Sequence, residues 1–367
     1  MRILIVGAGI AGLAAARALE MQGFHPELVE RQDAPPTAGK SLFLLGNATR
    51  ALSQLGLQEQ VLRMSHPIKA QTILSSQGRI LNHIKTDTIW ADCGPCIAIL
   101  RQALVEILQA SLVTTKIKFG LTVMHTAARA GGRVVHFSDG RAEEYDLVIG
   151  ADGVRSAVRA AAFGNTAPDS IGFGAWRFVI DNRYHVDHWI AMLGAGRSIL
   201  ATPLPLSQLY LYADCSSIEF GDGSIAVMKR LFKDFAYPFN EILDDLDAQA
   251  DAHRALLVEV PNRPYIADCL ALIGDAAHAS SPSMAQGAAM AIEDGIVLAR
   301  CLFEHPVTER ALSQFGELRR RRVEWVQKQG RTRDKLRTAP DFARNLLLRG
   351  FGTQLYRRAY GQLRAPL

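Results

Sequence analysis

Cysteine is scarce in this sequence: five in 367 residues, an odd number. That excludes a disulfide-stapled scaffold and points to a reducing compartment, so a cytoplasmic location is expected. Long apolar runs are also missing. No stretch reaches the roughly 18 uninterrupted apolar residues of a membrane-crossing helix, so no stable membrane insertion is expected. No internal repeat and no low-complexity linker appears. Hydrophobic residues make up 49% and charged residues 21%, the balance of a globular chain and not of a disordered or collagen-like one. No Cys/His spacing fits a metal site, and the Gly-x-Ser-x-Gly nucleophile turn is absent. Acidic residues thin out at the end. Glu317 to Leu367 hold 4 Asp/Glu against 14 Lys/Arg, while the first 316 residues hold 32 against 27. The positive excess therefore belongs to the tail, and no nucleic-acid partner is expected. At about 150 residues per domain, the length suggests two domains.

What is present begins at once. Arg2 and the apolar run Ile3 to Ala16 superficially resemble a secretory signal, but Gly7, Gly9 and Gly12 interrupt the run at regular spacing. Ile3 to Val6 reads as a strand buried on both faces, and Leu13 to Met21 as a helix ended by Gly23. Glu27-Leu28-Val29 leads to Glu30, eighteen residues beyond Gly12. This is a βαβ start carrying a dinucleotide fingerprint. Gly7 allows a tight turn, Gly9 lets backbone approach a pyrophosphate, and Gly12 lets the helix pack on the strand. The helix N-terminus offers free N–H groups to phosphate, and Glu30 can accept hydrogen bonds from ribose hydroxyls.

Two more motifs follow the same plan. Leu147-Val148-Ile149 reads as a buried strand ending in Gly150-Ala151-Asp152-Gly153, with a helix from about Ser156. Leu270 to Ile273 reads as a third, ending in Gly274-Asp275. A Ser/Pro loop and a small-residue helix from about Met284 to Cys301 come next. Each motif sets an acid beside glycine at the carboxyl end of a strand, where open α/β sheets bind ligands.

With these motifs in this order, residues 1 to about 320 resemble the class A FAD-dependent monooxygenases, related to para-hydroxybenzoate hydroxylase. GAGIAG at 7–12 matches the FAD fingerprint and Glu30-Arg31 the ribose site. Ala151-Asp152-Gly153 matches the Asp-Gly motif linked to FAD and NAD(P)H. GDAAH at 274–278, with Pro282, Gln286-Gly287 and Glu293-Asp294, matches the third motif. The resemblance implies an α/β fold: a Rossmann-like FAD domain, a mostly antiparallel substrate sheet and a helical C-terminal region. The implied division is a discontinuous FAD domain (1–65, 97–162 and 267–320), a substrate domain (66–96 and 163–266) and a basic helical tail (321–367).

It also implies FAD as cofactor and NADH or NADPH as co-substrate, with O2 and a small aromatic or electron-rich molecule as reactants. In the family a C4a-hydroperoxyflavin transfers an electrophilic OH, and the protein supplies orientation and exclusion of water. The cofactor residues carried over are Gly7, Gly9, Ala11, Gly12, Glu30, Arg31, Arg101, Val123, Asp152, Gly274, Asp275, Gln286, Gly287 and Ala288. Arg101 opens the helix RQALVEIL, and Val123 closes a short strand from Leu121. Pro282 is expected near the flavin edge where oxygen reacts. The N–H groups around Gln286 to Ala288 are expected at the pyrimidine, where a helix N-terminus favours negative charge. The sequence departs from the pattern at Ala285 and Ser41, where glycine is usual, the latter in the loop Gly39-Lys40-Ser41. It departs again at Ala289, where asparagine is frequent.

Between Phe163 and Ile266 the pattern turns to alternation. Trp176 and Phe178 share one face of a strand, and Tyr210 and Tyr212 share one face of another. His185 to Met192 and Ser198 to Thr202 are further strand candidates. Tyr212 and Arg177, with Pro282 and Gly287, are the expected catalytic residues. His185 and His188 are candidate bases, and His278 is expected to be structural.

Cys93-Gly94-Pro95-Cys96 matches the thioredoxin tetrapeptide, but Cys96 to Leu100 reads as a strand and the helix starts at Arg101. The pair thus sits away from a helix N-terminus, and no second nucleotide fingerprint is present, so a thiol relay is not expected. In the tail, Leu312, Phe315, Leu318 and Trp325/Val326 fall on or near one helical face, with Arg319 to Arg322 expected as a solvated one; partner, membrane-surface and active-site covering roles stay open for Phe342 to Tyr360. The same fold hosts flavin halogenases and isoprenoid-lipid reductases; the halogenase Trp-x-Trp-x-Ile-Pro motif is absent. A flavin-binding protein without turnover is the third alternative. A monomer or homodimer is expected.

Overall fold

A computed structural model describes all residues except 35–39, 165–166, 248 and 262–264. Gly39, where the early glycine loop was expected, lies outside the described residues. The fingerprint strand Ile3–Val6 is central in a six-stranded sheet. The strand order is Ile266–Ala267, Leu270–Leu272, Leu147–Gly150, Ile3–Val6, Glu27–Val29, Ile117–Lys118. All neighbours are parallel except the first pair. Every residue of Ile3–Val6 and Leu147–Gly150 is buried, as continuous apolar runs in a covered parallel sheet must be. The three strands that end in a glycine motif are neighbours here, so their carboxyl ends open on one edge.

The second large sheet has seven strands: His253–Glu259, Asp169–Asp181, Gln208–Ser216, Arg197–Leu204, Trp189–Gly194, Ala70–Ser75, Ile80–Lys85. It is antiparallel except between Trp189–Gly194 and Ala70–Ser75, which run parallel. Its two faces have different partners. Trp176, Phe178, Leu209, Leu211 and Ala213 pack in a separate core with Met228, Phe232 and Phe239 of the covering helices. Val179, Trp189 and Tyr210 pack against the nucleotide-side core. Period-2 alternation thus sends one set of side chains to each layer.

Some element limits differ from those expected. The strand expected over 121–123 begins only at Val123 and runs to Arg129, in a three-stranded antiparallel sheet. His185 precedes its strand, which starts at Trp189. The small-residue helix runs Gly287–Glu304, after a 3₁₀ turn at Pro282–Met284. The helix Thr308–Thr338 then leads to a terminal helix, Asp341–Tyr360. Leu312, Phe315 and Val326 are buried along the former, while Leu318 is exposed.

Arg319 corrects the picture of a solvated basic face. It is buried, with Nε 2.7 Å from Asp294 Oδ1 and Nη1 2.9 Å from Glu293 Oε2. Arg322 adds a bond of 2.7 Å to Glu293. The two acids lie in the interior of the helix Gly287–Glu304, so they need cations from a neighbour, and the basic helix supplies them.

Candidate active site

The site starts at the glycine turn. Gly7 has φ +109, and a Cβ there would stand 2.5 Å from the Ala151 carbonyl oxygen. At Gly12 a Cβ would lie 1.9 Å from the Gly7 oxygen. Both positions are closed to any side chain. Gly9 differs, since a Cβ there would meet nothing within 4 Å. It borders open space at the start of the helix Ile10–Met21, whose first-turn N–H groups have no acceptor within the helix. A cradle of that kind fits a pyrophosphate.

Glu30 is buried at the end of its strand, where Oε2 accepts from Ala8 N at 2.8 Å and Oε1 from Gln32 N at 3.1 Å. The acid therefore also braces the glycine turn. Arg31 is exposed beside it, Ala11 sits in the first helical turn, and Val123 is buried at its strand start. Asp152 caps the next helix: it accepts from Ser156 Oγ, and from Ala157 N and Val158 N at 2.7 and 3.1 Å.

The third motif supplies the opposite end. Gly274 has φ +57, and a Cβ there would stand 2.8 Å from that of Ala11. Its N–H donates to Asp294 Oδ2 at 2.8 Å, and His278 Nε2 lies 2.6 Å from the same oxygen. His278 is thus part of the frame. Asp275 is exposed although Leu270 to Gly274 and Ala276 to Ala279 are all buried. Arg101, at the start of its helix, lies within the field of Asp275, and burial pulls its pKa down. Pro282 and Gly287 are exposed and Ala288 half-buried at the N-terminus of the small-residue helix. The Gln286 side chain turns inward. Its amide exchanges hydrogen bonds of 2.9 and 3.1 Å with Asn47, which also donates to Glu293 at 3.0 Å. Any contact from Gln286 outward is left to its backbone.

Across from this edge lies one face of the seven-stranded sheet. Arg177 pairs in register with Tyr212 on one side and His253 on the other, so the three side chains share a face. The Arg177 guanidinium carbon is 5.4 Å from the Tyr212 ring centroid, and its charge also acts on the Tyr210 phenol. The Tyr212 hydroxyl donates to Asp214 Oδ2 at 2.7 Å, and Ser198 donates to Oδ1 at 2.8 Å. Burial and the Asp214 charge push the Tyr212 phenol well above its ordinary pKa, so it stays protonated. Arg337 pairs with Asp214 and stacks on Phe173, 3.8 Å from its centroid. Arg337 also bonds Asp334 at 3.0 Å, and Asp334 accepts from Ser283 beside Pro282. A continuous polar chain therefore ties the sheet to the loop at the helix N-terminus.

His253, in register with Arg177, carries no sequence motif that singles it out. Burial, then the charges of Arg177, Lys40 and Arg101, lower its pKa below 6.5, leaving the imidazole neutral at pH 7. The two expected histidines are elsewhere. His185 is exposed in a turn. His188 bonds Asp187 and Thr72 at 2.6 and 2.8 Å, and Thr72 bonds His83 at 2.9 Å. Thr72 lies opposite Ile190 in register, on the other face from Trp189. Asp214 was legible in principle, since Tyr210-x-Tyr212-x-Asp214 keeps the period of a strand face. Asn47 and His253 sit in segments without a motif.

Cys93 and Cys96 are free and buried. Burial raises both thiols, Cys96 to about 12, so neither is a thiolate near neutrality. Among the described residues no cluster could hold a metal ion.

Known proteins are similar to this chain in sequence and fold. A family model described as an FAD binding domain matches residues 1–185 and 251–328. Aurachin C monooxygenase/isomerase of Stigmatella aurantiaca is 30% identical over 326 residues, 87% of this chain and 85% of that protein. The 2-heptyl-3-hydroxy-4(1H)-quinolone synthase of Pseudomonas aeruginosa is 29% identical over 337 residues, 90% of this chain and 87% of that one. The crystal structure of Klebsiella pneumoniae HpxO with FAD and uric acid superposes with a TM-score of 0.89 at 23% identity, over 100% of this chain and 97% of the other. The glycine cradle, the braced Glu30 and the outward Asp275 fit FAD, and by sequence and fold this chain belongs to the FAD-dependent aromatic monooxygenases.

Proposed function

We propose that the chain hydroxylates an electron-rich nitrogen heteroaromatic ring bearing an ionisable oxygen or ring N–H. The carrying observation is the pairing of Arg177 with a neutral His253 on the sheet face turned to the Arg101–Asp275 edge. Similarity to a 2-heptyl-3-hydroxy-4(1H)-quinolone synthase and to an FAD-dependent urate hydroxylase supports the ring class. FAD, when bound, supplies hydride acceptance from NADH or NADPH and the activation of O2.

The chain's own residues do the rest. Gly7, Gly9, Ala11 and Gly12 would hold the pyrophosphate and Glu30 with Arg31 the ribose. Val123 would border the adenine, while Asp152 fixes its turn. Arg101, Gly274 and Asp275 would hold the ribityl chain. Backbone N–H groups of Gln286, Gly287 and Ala288 would face the pyrimidine, and Pro282 would border the reacting edge. His253 would take the substrate's proton, which raises ring electron density, and Arg177 would hold the resulting anion. Tyr212, its hydroxyl committed to Asp214, would present its ring and orient Arg177.

The five free thiols support a cytoplasmic location. The division into a nucleotide part, a substrate part and a basic tail, and a monomer or homodimer, belong to the same reading.

Two variants test it. Asp275→Ala should weaken FAD binding by about 1–3 kcal/mol, as for a lost charge-assisted hydrogen bond. Arg177→Met should keep FAD yet abolish the stimulation of NAD(P)H oxidation by 4-quinolones and hydroxypyridines. Stimulation that survives in Arg177→Met would remove Arg177 from the site.

A further inference from the structure

The terminal helix Asp341–Tyr360 carries large apolar side chains on its outer as well as its inner side. Its inward residues are Arg344, Leu348, Gly352, Tyr356, Ala359 and Tyr360. They pack over the strand Ile80–Lys85: a Cβ on Gly352 would stand 2.6 Å from Asn82, and Trp90 Nε1 donates to the Tyr356 hydroxyl at 3.0 Å. The outward side also carries large apolar groups. Phe342 is 82% exposed, Leu346 63% and Phe351 58%, with Leu347 and Leu355 also exposed. Phe342 and Leu346 form one i, i+4 ridge; Leu347, Phe351 and Leu355 form the adjacent one. An apolar area of this kind on a helix marks an interaction surface.

Its charge selects the partner. After Asp341 the chain has no acidic residue to its end at Leu367. Of the arginines in that stretch, Arg344 pairs with Asp341 and Arg364 with Asp92, while Arg349, Arg357 and Arg358 are exposed on the helix. A second copy of this chain meeting the same face about a twofold axis would set these arginines against each other, since the helix's one acid, Asp341, is already paired with Arg344. An anionic bilayer offers what the face lacks: acyl chains for the phenyl and leucyl groups, phosphates for the guanidinium groups.

We propose that the outer face of the helix Asp341–Tyr360 binds the surface of an anionic phospholipid membrane, with the helix lying in the plane of the interface. The attachment would be peripheral, since no helix among the described residues is long and apolar enough to cross a membrane. It also bears on the site. The Tyr360 hydroxyl donates to the Met284 carbonyl at 3.2 Å and accepts from Arg333 at 2.9 Å. The helix is thus fastened to the turn that carries Pro282. The proposal does not depend on the substrate class given above.

Co-sedimentation with vesicles tests it on the full FAD-loaded chain. Vesicles of phosphatidylglycerol and phosphatidylcholine in equal parts should pellet the protein, and pure phosphatidylcholine should pellet far less. Added salt should release it. The double variant Phe342→Ser/Phe351→Ser should lower the vesicle affinity at least about tenfold, as expected for two lost apolar anchors. Its flavin spectrum and melting temperature should match those of the parent, because neither side chain is buried. Arg357→Glu/Arg358→Glu should weaken binding to the anionic vesicles in the same way. Absence of pelleting, or equal pelleting of parent and both variants, overturns the proposal. So does a concentration-dependent dimer that the phenylalanine variant abolishes, since the face would then be an interface between copies.

Discussion

Ala285 occupies the left-handed region, with φ +50 and ψ +38, at the turn between the Pro282–Met284 3₁₀ segment and the helix Gly287–Glu304. Glycine is usual there in the family because a Cβ costs about 1–2 kcal/mol in that conformation. The sequence departure therefore has a physical reading: the turn is kept and the strain is tolerated. Ala285→Gly should raise stability by about 0.5–1 kcal/mol once the added freedom of the unfolded chain is subtracted. Thermal unfolding of the FAD-loaded protein measures it; a lower melting temperature would mean the methyl group packs favourably. Gln286 teaches a related lesson. Its motif position was readable, but its side chain is spent on Asn47, 239 residues away in sequence, and no local pattern announces such a pairing.

Helices Gly287–Glu304 and Thr308–Thr338 are clamped by buried charge. Burial alone pushes the Glu293 and Asp294 carboxyls up, but Arg319, Arg322 and His278 overcome this and hold both below their ordinary values. Arg319→Ala leaves two acids in an apolar interior with weaker support and should cost about 3–5 kcal/mol. The pH dependence has a defined sign. Unfolded, these groups titrate near 4.5 and 3.8, above their folded values. Their stabilisation is thus complete above that range and is lost as pH falls through the lower folded values. Denaturant melts of the parent at pH values below 3.8 should show this loss, and the variant should show less of it; parallel pH profiles would contradict the clamp.

The same scale separates the cysteine pair from the chemistry. Cys93 and Cys96 lie on the connection entering the strand Ile97–Leu100, with raised thiol pKa values. Cys93→Ser/Cys96→Ser should keep FAD and turnover with a modest stability loss. Anaerobic titration with NAD(P)H should take two electrons per chain, those of one flavin. Four electrons, with alkylation trapping two new thiols, would restore the relay.

Over the whole molecule, legibility follows the range of the interactions. The parallel sheet was readable because each of its motif strands carries its own glycine turn, so local residues state both the element and its end. The antiparallel sheet was readable in outline from alternation at Tyr210 and Tyr212. His253 was not, because it meets Arg177 only through strand pairing between distant segments. The basic tail was misjudged for the same reason: composition gives its charge, while only the packing of Arg319 against Glu293 and Asp294 shows how much of it is internal.

In the function proposed above, an electron-rich ring would lie between Arg177 and His253 and the FAD-binding edge. The measurement that tests this most directly is turnover under isotopically labelled O2 with a substrate that stimulates NAD(P)H oxidation, followed by mass spectrometry of the product. One labelled oxygen atom should enter the product ring system for each turnover that consumes substrate. A product formed in NAD(P)H-dependent turnover that carries no label would contradict it.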